Sequence, residues 1–204
     1  MKSRETYILV AMICILAFSP AIAAEIVLTF EDLPTQFPGY LPSGYAGLKW
    51  DNYYDAPDEF SPYWLWGSES SNPSYSEPHS VNNYLINAFG FSGLGFALPN
   101  PDTSTLSGAW FTQTNTEWTA DYIRFDGYDS MGNLTEQSAW LTLSLTPRYL
   151  EANFGPVSWI IVERSGERTG TYFTMDDLTY NTSVPEPATL LLFALGGIIL
   201  RRKK

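Results

Sequence analysis

The 204-residue chain has one cysteine, Cys14, and one histidine, His79. With no second cysteine there is no intrachain disulfide, and with no Cys or His cluster there is no zinc-type site. Cys14 lies in an apolar stretch, Tyr7 to Phe18, that follows Lys2 and Arg4. His79 stands in a Ser/Asn/Pro-rich segment without an evident partner for general-base work, and reads as a solvated loop residue. Basic residues are scarce. From residue 24 to 183 only Lys49, Arg124, Arg148, Arg164 and Arg168 occur, against 20 acids, a balance of about −15. Such a field makes nucleic acid and anionic membrane surfaces poor partners. Complete catalytic motifs are missing too. Gly90-Phe91-Ser92-Gly93-Leu94 has Leu94 where a nucleophile elbow needs glycine, and Gly93-Leu94-Gly95 lacks the third glycine of a dinucleotide loop. The expectation is a protein that is not an enzyme. A glycan-acting enzyme built on a carboxylate pair is the catalytic alternative.

No sustained 3.6-residue apolar pattern occurs between the signal-like N-terminus and the C-terminal tail. Short runs rich in aromatic and β-branched residues recur instead: Glu25–Phe30, Tyr63–Trp66, Ser80–Ile86, Gly108–Gln113, Asp121–Asp126, Ala139–Leu145, Tyr149–Phe154, Val157–Glu163 and Gly170–Tyr180. Turn residues separate them, and Asp126 to Asn133 reads as a hairpin connection. Val157–Glu163 is apolar on both faces and should be a central strand. The predicted fold is all-β, a two-sheet jelly-roll-like sandwich over residues 24–183. Trp140 and Trp159, in apolar runs, are expected in its core.

Both ends carry address-like segments. Lys2 and Arg4, the apolar run, Ser19-Pro20 and Ala21-Ile22-Ala23 have the order of a signal peptide, residues 1–23, with cleavage by signal peptidase after Ala23. At the other end, Val184-Pro185-Glu186-Pro187 precedes an uncharged run, Ala188 to Leu200, and then Arg201-Arg202-Lys203-Lys204. As a helix that run spans roughly 20 Å, short of a hydrocarbon core near 30 Å. Its basic tail would stay on the cytoplasmic side. Residues 184–204 resemble the PEP-CTERM sorting signal of Gram-negative surface proteins. The resemblance implies an exported protein held transiently at the inner membrane. Its partner there is an exosortase, a membrane transpeptidase that cuts near the motif and releases the protein to the cell surface or extracellular matrix. Val184, Pro185, Glu186, Pro187, Arg201 and Arg202 are the sorting residues so implied, and Asn181–Val184 reads as the polar linker before them. Association with exopolysaccharide or biofilm is the expected setting.

Leu28-Thr29-Phe30-Glu31-Asp32-Leu33 with Gly44-Tyr45-Ala46-Gly47-Leu48-Lys49-Trp50 resembles the opening of a recurrent class of PEP-CTERM proteins. Tyr172 to Tyr180, with Asp176-Asp177, is similar to the last strand of many jelly-roll carbohydrate-binding modules. That resemblance implies a structural Ca2+ with Glu31 and Asp176 as ligands and Asp32 and Asp177 as neighbours. The residues alone support this more weakly. First and last strands of a sandwich often pair, and four carboxylates in contact would need a cation or protons. Alternation could equally turn one acid of each pair to solvent. A carbohydrate-binding module is the alternative function, with Trp50, Asp51, Tyr53, Tyr54 and Tyr63 as candidate ligand-binding residues, since sugar rings stack on aromatic faces beside short polar acids.

Overall fold

Alternation sets the layers. In Tyr122–Tyr128 the side chains of Ile123 and Phe125 enter the core while Tyr122, Arg124 and Asp126 take the opposite face, where Tyr122 points to solvent. The structure, a computed structural model, describes residues 23–34, 39–52, 60–68, 76–87, 94–114, 117–165 and 172–183. Most of the signal-peptide segment and all of 184–204 fall outside these residues. Among the described residues no helix is long and apolar enough to cross a membrane.

In chain order the strands are β1 (Ala23–Leu28), β2 (Gly39–Pro42), β3 (Lys49–Asn52), β4 (Phe60–Ser68), β5 (Asn83–Asn87), β6 (Leu94–Ala97) and β7 (Thr105–Gln113), then β8 (Tyr122–Tyr128), β9 (Leu134–Gln137), β10 (Leu141–Thr142), β11 (Arg148–Pro156), β12 (Trp159–Ser165) and β13 (Phe173–Ser183). They form two antiparallel sheets. The first runs β11-β7-β13-β5-β4-β2, with β1 also paired to β13, and the second β10-β8-β12-β6-β3, with β9 also on β8. The chain crosses between sheets repeatedly, so most pairings join distant segments. This is the all-β, two-sheet, jelly-roll-like sandwich that the sequence predicts. β12 lies between β8 and β6, the central position its two apolar faces call for.

The gap between the sheets is filled by aromatic side chains. Trp50 of β3 meets Trp64 of β4 edge-on, with centroids 5.7 Å apart, and also contacts Phe96 at 5.2 Å. Trp64 reaches Phe173, Phe173 reaches Phe111, and Phe111 reaches Phe125 of the opposite sheet. Each such pair adds about 0.5–1.5 kcal/mol beyond its buried area. Gly95 allows one close approach, because a Cβ there would lie 2.1 Å from the Ile160 carbonyl oxygen.

Two local expectations are overturned. Ala139–Leu145 is not a full strand, since only Leu141–Thr142 pairs. Ser138 takes up both Phe125 backbone groups, its N–H donating to the carbonyl and its hydroxyl accepting from the amide. The chain leaves the ladder after that residue. Trp140 is consequently 45% exposed rather than in the core, whereas Trp159 is buried. Likewise Asn181–Ser183 is no linker but the end of β13. Asn181 pairs with Thr105, and its side-chain amide donates to Ser107 Oγ at 3.1 Å.

Candidate functional site

Because β1 pairs with β13, the acids that follow the first strand come to those within the last. Two backbone irregularities aim them. After β1 the chain turns sharply, Leu33 N–H donating to the Phe30 carbonyl, with Phe30 in the left-handed region at φ 59. Bulky residues seldom adopt that conformation. The turn is held from outside by Asn83, whose amide donates to the carbonyls of Phe30 and Leu33, both at 3.0 Å. In β13 the β7 ladder slips between Asp176 and Thr179, and Asp177 sits at φ 45. That bulge separates the directions of Asp176 and Asp177.

Between the acids lies a strap, Ser76 to Asn82, which crosses the outer face of β13 and β7. Ser76 Oγ bonds Thr174 Oγ1 at 2.8 Å, and Thr112 Oγ1 donates to the Glu77 carbonyl at 3.1 Å. Asp176 Oδ2 accepts the N–H groups of His79 (2.9 Å) and Ser80 (2.6 Å). Glu31 Oε1 accepts those of Asn82 (2.7 Å) and Asn83 (2.9 Å). His79 is therefore not a free loop residue. Its ring stacks on Trp110 with centroids 3.6 Å apart and planes 9° from parallel, and its Nδ1 lies 2.5 Å from Asp177 Oδ2.

Ser80 joins the two carboxylates. Its Oγ lies 2.8 Å from Glu31 Oε1, 3.2 Å from Asp176 Oδ1, and 3.3 Å from each of the Thr29 and Asn83 carbonyl oxygens. A hydroxyl has one proton, so it can serve only one of these four acceptors fully. The two acids respond differently. Burial pushes Glu31 up, but the N–H groups of Asn83 and Asn82 and the Ser80 hydroxyl outweigh it and hold the carboxyl below its usual range. Asp176 is pushed up to about 6 by burial, with Asp177 adding repulsion, against the pull of the Ser80 N–H and hydroxyl.

The expected four-acid cluster does not form. Asp32 accepts a hydrogen bond from the Tyr45 hydroxyl, and Asp177 turns to His79. Among the described residues no three His, Cys, Asp or Glu side chains converge as a metal site. What does converge is an all-oxygen set around Ser80: two carboxylates, two backbone carbonyls and the hydroxyl itself. That donor chemistry fits a hard cation such as Ca2+, held by Glu31 and Asp176 without Asp32 or Asp177.

Of the aromatic candidates, Trp50 is fully buried, so its ring offers no face to a ligand. Tyr53 and Tyr54 lie outside the described residues, as do the side chains of Asp51 and Tyr63. Sequence reasoning missed Ser80, Asn83 and the stack of His79 on Trp110, for none carries a recognisable motif.

Residues 183–204 match the family described as the PEP-CTERM protein-sorting motif. No curated protein matches the chain. Among solved structures it is similar to the K2 cleaved adhesin domain of Lys-gingipain, at 10% identity over 77% of this chain and 97% of that one, with TM-score 0.43. It is also similar to the K1 cleaved adhesin domain of Lys-gingipain from Porphyromonas gingivalis W83, at 14% identity over 79% and 99%, with TM-score 0.42.

Proposed function

We propose that this is a non-enzymatic surface or matrix protein of a Gram-negative bacterium, a β-sandwich displayed after exosortase processing and associated with exopolysaccharide. The carrying observation is the PEP-CTERM motif at residues 183–204, which marks an exported protein sorted through the membrane by an exosortase. The core supports a structural rather than catalytic reading. The lone histidine is committed to a stack and an acid, and the paired carboxylates Glu31 and Asp176 are engaged by peptide N–H groups. The test replaces Pro185, Glu186 and Pro187 together by alanine in the full chain and follows its fate in cells. Retention of an unprocessed form in the inner membrane supports the reading, while normal surface delivery overturns it.

A second reading concerns the strap. A structural Ca2+ held by Glu31, Asp176 and the carbonyls of Thr29 and Asn83 would supply the positive charge that burial withholds from Asp176. The four acceptors around one hydroxyl proton favour it. Thermal unfolding of the full chain in mild detergent, with calcium or with a chelator, decides. A melting temperature that rises with calcium supports the reading, and one that does not move overturns it.

A further inference from the structure

The outer face of the second sheet carries an arrangement that the sorting signal leaves unexplained. On β8, Tyr122, Arg124 and Asp126 point away from the core, alternating with buried Ile123 and Phe125. Trp140, in the break between β9 and β10, lies over the Arg124 guanidinium, whose central carbon is 4.5 Å from the ring centroid. Asp126 grips that guanidinium side-on, Nε to Oδ1 at 2.9 Å and Nη2 to Oδ2 at 3.0 Å. Asp126 is only 3% exposed and also accepts from Gln137 Nε2 at 3.1 Å. The indole thus rests on an ion pair while remaining 45% exposed, and Tyr122, two residues before Arg124 on the same face of β8, is 43% exposed. An unassisted surface tryptophan would bury its ring against the sheet, whereas this one is pre-organised facing outward.

We propose that this face is a docking platform for an uncharged polysaccharide, with Trp140 as its stacking surface. The inference rests on the surface-display reading and names the partner's chemistry and its place. Pyranose C–H faces stack on an indole, and a ring held in place loses little entropy on binding. Glu163, paired across from Arg124, and Gln137 supply hydroxyl-directed groups around the ring. The electrostatics select against polyanions. Asp126 already neutralises Arg124, Glu163 adds negative charge, and the domain as a whole is acidic.

The test is migration of the full chain, in mild detergent, through native gels cast with xyloglucan, galactomannan or mixed-linkage β-glucan, with polygalacturonate as the charged arm. At least one neutral polymer should retard the protein and polygalacturonate should not. Trp140→Ala should weaken the retardation about tenfold or more, with Trp140→Phe intermediate and the melting temperature of both near wild type. Retardation by none of the neutral polymers, stronger retardation by polygalacturonate, or an unaffected Trp140→Ala protein overturns the proposal. Protease shaving of intact cells separates this failure from that of the reading beneath it. A shaved protein that no gel retards leaves surface display standing and removes the platform, and a protein that shaving cannot reach removes surface display itself.

Discussion

The outer faces of the two sheets each hold an almost fully buried acid, Asp176 at 4% exposure and Asp126 at 3%, yet they solve the burial in opposite ways. Asp126 meets a full positive charge, Arg124, and the pair lies beneath a half-exposed tryptophan. Asp176 meets only peptide N–H groups and a hydroxyl, under a strap that closes over it. A full charge balances the first acid, while at Asp176 the dipoles do not outweigh burial, which raises its pKa. One acid is thus held by a charge, the other by the strap that clamps it.

The comparison can be broken at five residues. The largest effect should come from Asp126→Ala, which strands Arg124 without its partner. We expect a loss of about 3 kcal/mol in urea unfolding, and a loss under about 1 kcal/mol would mean the pair is not structural. The next concerns pH. The folded pKa of Asp176, about 6, lies above the ordinary aspartate value of 3.8, so its stabilising contribution is complete below 3.8 and lost as pH rises through about 6. The stability difference between wild type and Asp176→Ala should thus shrink by up to about 3 kcal/mol between pH 4 and pH 7. Glu31, shifted the other way, stabilises above its usual range and loses that contribution as pH falls through its lowered pKa, so Glu31→Gln should narrow the gap to wild type at acid pH. Ser80→Ala removes the hydroxyl between the two carboxylates and should cost about 1 kcal/mol by the same urea assay. Smallest is Trp140→Ala, within about 1 kcal/mol, since half of its ring already faces water; a larger loss would make Trp140 a packing residue.

Much of this was legible in the sequence. The two apolar faces of Val157–Glu163 placed β12 at the centre, and Asp129 closes the turn after β8 by accepting the N–H groups of Met131 and Asn133, as the hairpin reading required. The approach of Glu31 to Asp176 followed from pairing the first strand with the last. The short strands β2, β3, β6 and β9, of four residues each, were not legible, because so few residues show no clear period. Ala139–Leu145 misled because its composition suits a strand while Ser138 had already captured the neighbouring ladder positions. The strap was hidden for a different reason. Its partners lie some thirty to one hundred residues away in the chain, and nothing local distinguishes a loop that is tied down from one that is not.

The last of the described strands, β13, sits inside the first sheet, between β7 and the strands β5 and β1. Until it pairs, β7 and β5 lack the neighbour they share, so that sheet cannot close without residues 173–183. Ser183 ends that strand two positions before Pro185, so along the chain the innermost strand of the sheet and the sorting motif directly adjoin.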